Sequence, residues 1–140
     1  MKSAFLDPTP ESGRDFYLNA PAGPLVMLNL LRFRETADYS ASPELKPDAP
    51  ISGREAYRLY MRHTVPFLKA AGGELTFTGT ASAFLIGPPE ERWDGVLLVR
   101  QRSKEDFMAF AQNEDYQKII GHRTAALLDS RLLPMGETTI

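Results

Sequence analysis

His63 and His122 are the two histidines of this 140-residue chain and the side chains best suited to move a proton near neutral pH. His63 falls at the inward-facing spacing of one amphipathic helix, and His122 lies at the edge of an apolar stripe on another. Neither belongs to an HxxxH or HExxH motif, so we expect no metal ion, and no motif indicates a cofactor. Because a single histidine on an apolar helix face is often a core residue, packing remains the alternative to catalysis.

Arg123 is the charged residue with the least expected position. It lies in the apolar stripe of a helix that begins at Asn113, seven residues after Tyr116. A buried guanidinium needs a carboxylate or several other acceptors, since an unpaired buried charge is costly. Asp94, Asp129 or the anionic group of a ligand could supply them, and the sequence pattern does not decide among these.

The segment VMLNLLRFR, residues 26–34, indicates a buried strand that nevertheless carries an amide and two guanidiniums. A buried amide left unpaired costs about 1–3 kcal/mol, so Asn29 must bond either to protein or to a carbonyl or hydroxyl of a ligand. Arg32 lies on the opposite face if the strand is regular. It is either part of an anion site or a charge that extends from the strand end into solvent.

Aromatic side chains complete the candidate site. Trp93 follows a proline-rich turn directly, so it either forms the wall of a pocket mouth or seals a dimer edge. Tyr60 and Tyr116 are expected mainly in the core, with hydroxyl groups that could face a ligand. The residues that we predict to bind substrate are therefore Asn29, Arg123, Arg32, Trp93, Tyr60 and Tyr116.

Capping signals predict where the helices that position these residues begin. Thr9 and Pro10 start a short helix, and Ser52 with Glu55 forms a capping box that starts a second one. A further helix is predicted from the Asn113 cap through residue 127. The residues that the second helix is predicted to bury are Ala56, Tyr60, His63, Phe67 and Ala70.

Four strands are predicted over residues 25–33, 75–86, 93–102 and 131–135, with a bulge suggested at Gly79. The polar stretch 35–50 has no pattern of its own and is expected to be a functional lid or disordered. After the first helix the order is β-α-β-β-α-β. The predicted fold class is therefore α+β of ferredoxin-like topology, an antiparallel sheet with helices on one face.

Composition limits the function classes. The chain is 43% hydrophobic and 24% charged with a net charge of −2, which favours a single soluble domain over residues 1–140 with its core at about 24–135, and gives no basic face for nucleic acid. It contains no cysteine, so disulfides and thiol chemistry are excluded. No apolar run is long enough to span a membrane, and prolines interrupt any signal-peptide core, so we expect a cytoplasmic protein.

A second copy of the chain is the expected partner. In VLLV, residues 96–99, both alternating sets of side chains are apolar, so both faces of the sheet should be covered. The helices cover only one face. A second copy of the same sheet would cover the other, which predicts a homodimer formed through the sheet face.

Four segments together resemble a family of small, largely uncharacterised bacterial proteins of the dimeric α+β barrel superfamily. They are VMLNLLRF, YRLYM with the following AGG, WDGVLLVRQRSKEDFMAF, and DYQKIIGHRTAALLDSRLLP. The superfamily includes cofactor-free monooxygenases that act on polyphenolic rings, muconolactone isomerases and haem-binding enzymes. The resemblance implies a small-molecule pocket between the sheet and its helices, but it does not imply one reaction.

Two functions remain open from the sequence. The first is a small-molecule-binding protein or a cofactor-independent enzyme, monooxygenase-like or isomerase-like, acting on an organic acid or an aromatic carbonyl compound. Asn29 would orient a ligand oxygen, Arg123 would neutralise an anionic group, and His122 or His63 would transfer a proton. The alternative is a non-catalytic homodimeric interaction module, in which these polar groups satisfy one another and no pocket remains.

Overall fold

The computed structural model describes residues 4–140, which form a four-stranded antiparallel sheet covered on one face by helices. The strands are β1 (Leu25–Phe33), β2 (Glu74–Thr80), β3 (Gly95–Gln101) and β4 (Leu127–Gly136). Their order in the sheet is β2-β3-β1-β4, so β1 and β3 are central and the other two are edges. This is the order of a ferredoxin-like fold, and the predicted fold class is confirmed.

Five helices accompany the sheet within residues 4–140. They are α1 (Pro10–Asn19), α2 (Gly53–Ala70), α3 (Lys104–Ala111), α4 (Glu114–Ile119) and α5 (Gly121–Ala126). Capping boxes begin two of them: Ser52 with Glu55 at α2, as predicted, and Thr9 with Ser12 at α1, where only the N-cap Thr9 was predicted. None of the helices in the part of the chain that the structure describes is long and apolar enough to cross a membrane.

The buried face of α2 is rotated from the predicted one. Its buried residues are Gly53, Ala56, Tyr57, Tyr60, Thr64 and Leu68. Ala56 and Tyr60 therefore point inward as expected, whereas His63 and Ala70 are exposed. The prediction that His63 faces the core is wrong, because the stripe continues at Thr64, one residue further along the helix.

The second strand is shorter than predicted. β2 ends at Thr80 rather than at residue 86, because its ladder partner β3 begins only at Gly95. The irregularity in the β2–β3 pairing lies between Leu75 and Phe77, not at Gly79. Gly79 instead makes room for the ring of Phe77, because a Cβ there would lie less than 3 Å from that ring.

The helix predicted over residues 113–127 is interrupted. It breaks at Ile120 into α4 and α5, and Leu127 already belongs to β4, which starts four residues before the predicted strand. The break coincides with Gly121, where a Cβ would overlap the side chains of Ser42 and Leu45. Tertiary packing against the 35–50 stretch therefore replaces one long helix by two short ones.

The polar stretch over residues 35–50 is ordered and packs against the helices. Ala37 N–H donates to Ile51 O and Asp38 N–H donates to Ala125 O, both at 2.9 Å. A short 3₁₀ helix spans Pro43–Leu45, and Tyr39 is buried. The stretch is thus ordered rather than disordered, and it covers α5.

Side-chain alternation along β1 gives the sheet two different faces. Leu25, Met27 and Leu31 point toward the helices and are buried. The intervening side chains point to the other face, where no helix lies in the described chain. One cross-strand row on this open face joins Phe77, Leu98, Leu28 and Leu133.

Gly53 should be intolerant of a side chain, because a Cβ there would lie less than 3 Å from backbone atoms of Arg34 and Ala126. We expect Gly53→Ala to lower the free energy of unfolding by about 1–3 kcal/mol or more, measured by urea unfolding. Gly13→Ala is the matched control: it lies in α1 with nothing within 4 Å of the added Cβ. If Gly53→Ala were as stable as the wild type, the backbone at Arg34 and Ala126 would be able to move away from residue 53 without a cost in free energy.

Candidate functional site

Arg123 extends from α5 toward the end of the sheet and bonds to neutral oxygens. Its Nη1 donates to the Leu6 carbonyl at 2.6 Å and its Nη2 donates to Ser130 Oγ at 3.3 Å. Ser130 Oγ in turn donates to the Phe5 carbonyl at 2.6 Å. Within residues 4–140, no carboxylate lies within salt-bridge distance of this guanidinium.

The two carboxylates proposed from the sequence as partners of Arg123 have other partners. Asp94 Oδ2 accepts from the backbone N–H of Phe33 at 2.9 Å. Asp129 Oδ1 accepts from the N–H groups of Phe5 and Ser130 and from Arg131. Burial by itself would raise the pKa of Asp129, but these donors outweigh it and hold the pKa below its ordinary value.

Three buried tyrosines lie within the electrostatic reach of Arg123. The hydroxyl oxygens of Tyr60 and Tyr116 are 2.6 Å apart, and the ring of Tyr57 packs against that of Tyr60 with centroids 5.2 Å apart. Burial raises the pKa of all three phenols, and the positive charge of Arg123 opposes that rise. The phenols therefore stay neutral near pH 7 and can donate hydrogen bonds.

Asn29 lies on the same face of the sheet as Ser130. It pairs across the β1–β4 ladder with Leu132, and Leu31 pairs with Ser130. The Asn29 side chain is half-buried, and its Nδ2 donates to the Met27 carbonyl at 3.2 Å. Sheet register thus places Asn29 on the face of Ser130, to which Arg123 bonds. We call Asn29, Ser130, Arg123, Tyr60 and Tyr116 the Arg123 cluster.

The histidines form a second cluster, between α5 and α2. Tyr39 Oη and His122 Nδ1 are 2.7 Å apart, and the ring of His63 stacks on that of His122 with centroids 5.7 Å apart. The Tyr39 bond fixes the ring orientation of His122. Adjacent positions on a helix point about 100° apart, so His122 contacts His63 while Arg123 bonds to Ser130 at the sheet end.

Arg32 and Trp93 belong to neither cluster. Arg32 pairs in register with Asp129 on the open face of the sheet. The guanidinium carbon of Arg131 lies 4.9 Å from the centroid of the Trp93 ring. Arg131 pairs in register with Leu30, so it too belongs to the open face. The six residues predicted to bind substrate are therefore divided between the two faces of the sheet.

Concave surfaces of measurable volume lie elsewhere. One of about 490 Å³ is formed by residues 21–24 and 136–139, and another of about 300 Å³ lies along α1. Neither includes a residue of the Arg123 cluster, above which the N-terminal segment Phe5–Leu6 lies. Among the described residues, no three His, Asp or Glu side chains are grouped closely enough to hold a metal ion.

Sequence reasoning missed Tyr39, Ser130 and the N-terminal segment. Tyr39 is the single aromatic residue in the polar stretch 35–50, a signal that indicates an anchoring side chain. Ser130 carried no signal, because the predicted strand began at Arg131. The contact between Leu6 and Arg123 uses a backbone carbonyl, which any residue provides, so no residue type could have indicated it.

The stability of the protein should depend on pH through His122. Burial, with a smaller contribution from His63, lowers the pKa of His122 below 6.5. Between that lowered pKa and 6.5 the unfolded chain binds more protons than the native one, so the free energy of unfolding should fall as pH falls through this window and level off above it. Urea unfolding from about pH 8 to pH 5 measures the slope.

The matched variant for this prediction is His122→Gln, in which the decline should disappear. In His63→Ala an NMR titration should find the pKa of His122 raised, because one source of repulsion is gone, yet still below 6.5 because burial remains. An unchanged slope in His122→Gln would assign the pH dependence to other groups.

Comparison with known proteins gives relatives by structure alone. No family model matches the chain, and no match was found among the curated proteins. Among solved structures, the chain is similar to the RPA0582 protein of Rhodopseudomonas palustris, described as a protein of unknown function, with 33% identity and a TM-score of 0.85. The match covers 99% of this chain and 100% of that one.

Two further structures are similar. The methylated RPA0582 protein matches with 33% identity and a TM-score of 0.86, over 99% of this chain and 98% of that one. A dimeric ferredoxin-like protein of unknown function from Thermobifida fusca YX matches with 13% identity and a TM-score of 0.41, over 86% of this chain and 96% of that one. That last similarity is too low to carry a conclusion about this chain. With a third of its residues identical over nearly its whole length and the same fold, the chain belongs to the bacterial family of the RPA0582 protein, a family of unknown function, as its sequence resemblance indicated.

Proposed function

We propose that this protein binds a small organic anion with a carbonyl or aromatic group at the Arg123 cluster, and that it works as a homodimer. The observation that supports binding is the Arg123 guanidinium, which lies partly buried beside three phenols and is bonded to neutral oxygens among the described residues. A partly buried cation without a carboxylate is an electrostatic site for an anion.

The residues around Arg123 suit an organic acid. A ligand carboxylate would replace the Leu6 carbonyl on Nη1 and accept two parallel N–H bonds, which are stronger than a bond to a neutral acceptor. Asn29 Nδ2 holds only a 3.2 Å bond to its own strand, so it can turn toward a ligand oxygen at little cost. The neutral phenols of Tyr60 and Tyr116 add donors and flat apolar surface.

Entry of the ligand requires the N-terminal segment to move. The Leu6 carbonyl now accepts a hydrogen bond from the Arg123 guanidinium. The Phe5 backbone bonds to the side chains of Asp129 and Ser130. This segment has no helix or strand of its own, and α1 behind it buries no residue. Such weakly packed segments open at low free-energy cost, so displacement by a ligand is compatible with the closed arrangement.

Catalysis is the second candidate function. The short Tyr39–His122 contact favours it, because an oriented neutral imidazole can accept a proton near neutral pH. His122 nevertheless points about 100° around α5 from Arg123, and its side chain contacts Tyr39 and His63 rather than the Arg123 cluster. Proton transfer would therefore act on a ligand at the histidine cluster, monooxygenase-like or isomerase-like chemistry without a cofactor, and binding at Arg123 is the function we favour.

The open sheet face supports the homodimer. Leu28, Leu30, Val96 and Leu98 point to it from the two central strands, and Phe77 and Leu133 at the edges are 51% and 55% exposed. An apolar face of this kind on a soluble chain is usually an interface. Two identical faces packed about a twofold axis satisfy each other.

Ligand binding can be tested by thermal shift with a panel of small aromatic and aliphatic carboxylic acids. We expect at least one acid to stabilise the protein, by about 2.7 kcal/mol when its concentration is 100-fold above the Kd. Arg123→Gln should abolish the shift, because it removes the charge. Arg62→Gln, an exposed arginine on α2, is the control and should keep it. A shift that persists in Arg123→Gln, or a panel without any shift, would contradict the proposal.

Dimerisation can be tested by sedimentation equilibrium at micromolar concentration. We expect a dimer for the wild type and a monomer for Leu133→Asp, since a charge placed within an apolar interface must be desolvated. Leu133 is more than half exposed in the single chain, so its replacement should leave the far-UV circular dichroism unchanged. A wild-type monomer at these concentrations would refute the dimer.

A further inference from the structure

The segment between β2 and β3 forms an ordered projection, which we call the arm (residues 81–92). Ala81 N–H donates to Asp94 O at 3.0 Å and Trp93 N–H donates to Ser82 O at 3.2 Å. A bridge between Ala83 and Arg92 continues the pairing. The arm is thus a hairpin-like extension with paired sides rather than a loose loop.

The base of the arm is fastened to the opposite edge of the sheet. Glu91 Oε1 lies 3.7 Å from Nη2 of Arg131 on β4, and the Trp93 ring lies 4.9 Å from the same guanidinium. These contacts cross the end of the open face, because Arg131 is in register with Leu30 of β1. The base of the arm is therefore held in a fixed position at the end of the open face, so docking of the arm would cost little conformational entropy.

The tip of the arm is apolar and exposed. Leu85 is 100% exposed, Ile86 is 91% exposed and Phe84 is 39% exposed. Residues 75–89 contain no charged side chain, although 24% of the whole chain is charged. Gly87, with φ +155°, allows the turn, and a Cβ there would lie less than 3 Å from Phe84. Three consecutive apolar side chains held out in water on an ordered support indicate a contact surface.

The apolar tip would add contact area to that of the open face. Four strands about 4.8 Å apart, each contributing about seven residues of 3.4 Å rise, span a projected area of roughly 450 Å². Stable interfaces bury about 800 Å² of accessible surface on each partner. Stacked sheets lie about 10 Å apart, and the four residues after Ala83 reach at most about 14 Å beyond the last paired rung. The tip is therefore long enough to cross to a second sheet and extend the contact.

We propose that the arm is an intersubunit clamp: Leu85 and Ile86 of one copy dock on a second copy of this chain, and the open faces pair between the two arms. The inference rests on the proposed homodimer and extends it, because it assigns part of the binding energy to a segment outside the sheet.

The test is sedimentation equilibrium of the full chain with the double variant Leu85→Ser/Ile86→Ser. In a symmetric dimer both arms dock, so the double variant removes four buried apolar side chains; at about 10-fold for each, the dimer dissociation constant should rise about 10,000-fold. Leu18→Ser, an exposed leucine on α1, is the matched control and should leave the constant unchanged. Far-UV circular dichroism checks that the double variant is folded.

The outcomes separate the two proposals. A wild-type dimer that the double variant leaves unchanged overturns the clamp and leaves the dimer standing, whereas a wild-type monomer overturns both. Wild-type protein that sediments with vesicles of phosphatidylcholine and phosphatidylserine, when the double variant does not, would make the tip a lipid contact and also overturn the clamp.

A cross-link supplies a second measurement. The chain has no cysteine, so Leu85→Cys offers a single thiol for a benzophenone maleimide label. Illumination should give a covalent dimer joined from the tip of one copy to the other copy, as read by mass spectrometry. The same label on Leu18→Cys should give none, and cross-links confined to one chain would overturn the proposal.

Discussion

Strand β1 imposes the constraint on which the remaining structure depends. It is hydrogen-bonded on both sides, to β3 and to β4, so none of its residues can turn without breaking two ladders. Each side chain must therefore lie on one face or the other. Asn29 goes to the helix side, and Arg32 goes to the open side. This pairing decides which face of the sheet each polar residue of β1 lies on. The chemistry of the side chain then decides only which neighbours on that face it bonds to.

Helix α5 carries the same kind of constraint over a shorter distance. His122 and Arg123 are neighbours in sequence, yet the helix directs one toward Tyr39 and His63 and the other toward Ser130. Close packing keeps α5 in this orientation, because Gly121 lies against Ser42 on one side and Ala126 O accepts from Arg34 N–H on the other. A helix of six residues thus directs the Arg123 guanidinium and the His122 imidazole to different neighbours.

Much of the fold could be predicted from local signals. The limits of β1 and the caps at Thr9 and Ser52 follow from residue types within a few positions of each other, and the element order followed from them. The errors arose where distant contacts decide. The break at Ile120 depends on the packing of residues 42 and 45, and the end of β2 depends on where its partner strand begins. The cluster around Arg123 was predicted in part, through Asn29, Tyr60 and Tyr116. Its completion by backbone carbonyls of residues 5 and 6 depends on tertiary packing that residue types do not encode.

The guanidinium of Arg131 has a consequence for the order of folding. It joins three segments that are far apart in the chain: the Phe5 ring at 4.8 Å, the Trp93 ring at 4.9 Å, and Asp129 within its own strand at 2.8 Å. The bond between Phe5 and Asp129 spans 124 residues. Closing so long a loop gains little until the sheet already exists, so the first residues dock after the other elements have assembled. We therefore expect the N-terminal segment to dock only after α5 and β4 have joined the sheet, because the long-range bonds of Phe5 and Leu6 all go to these two elements.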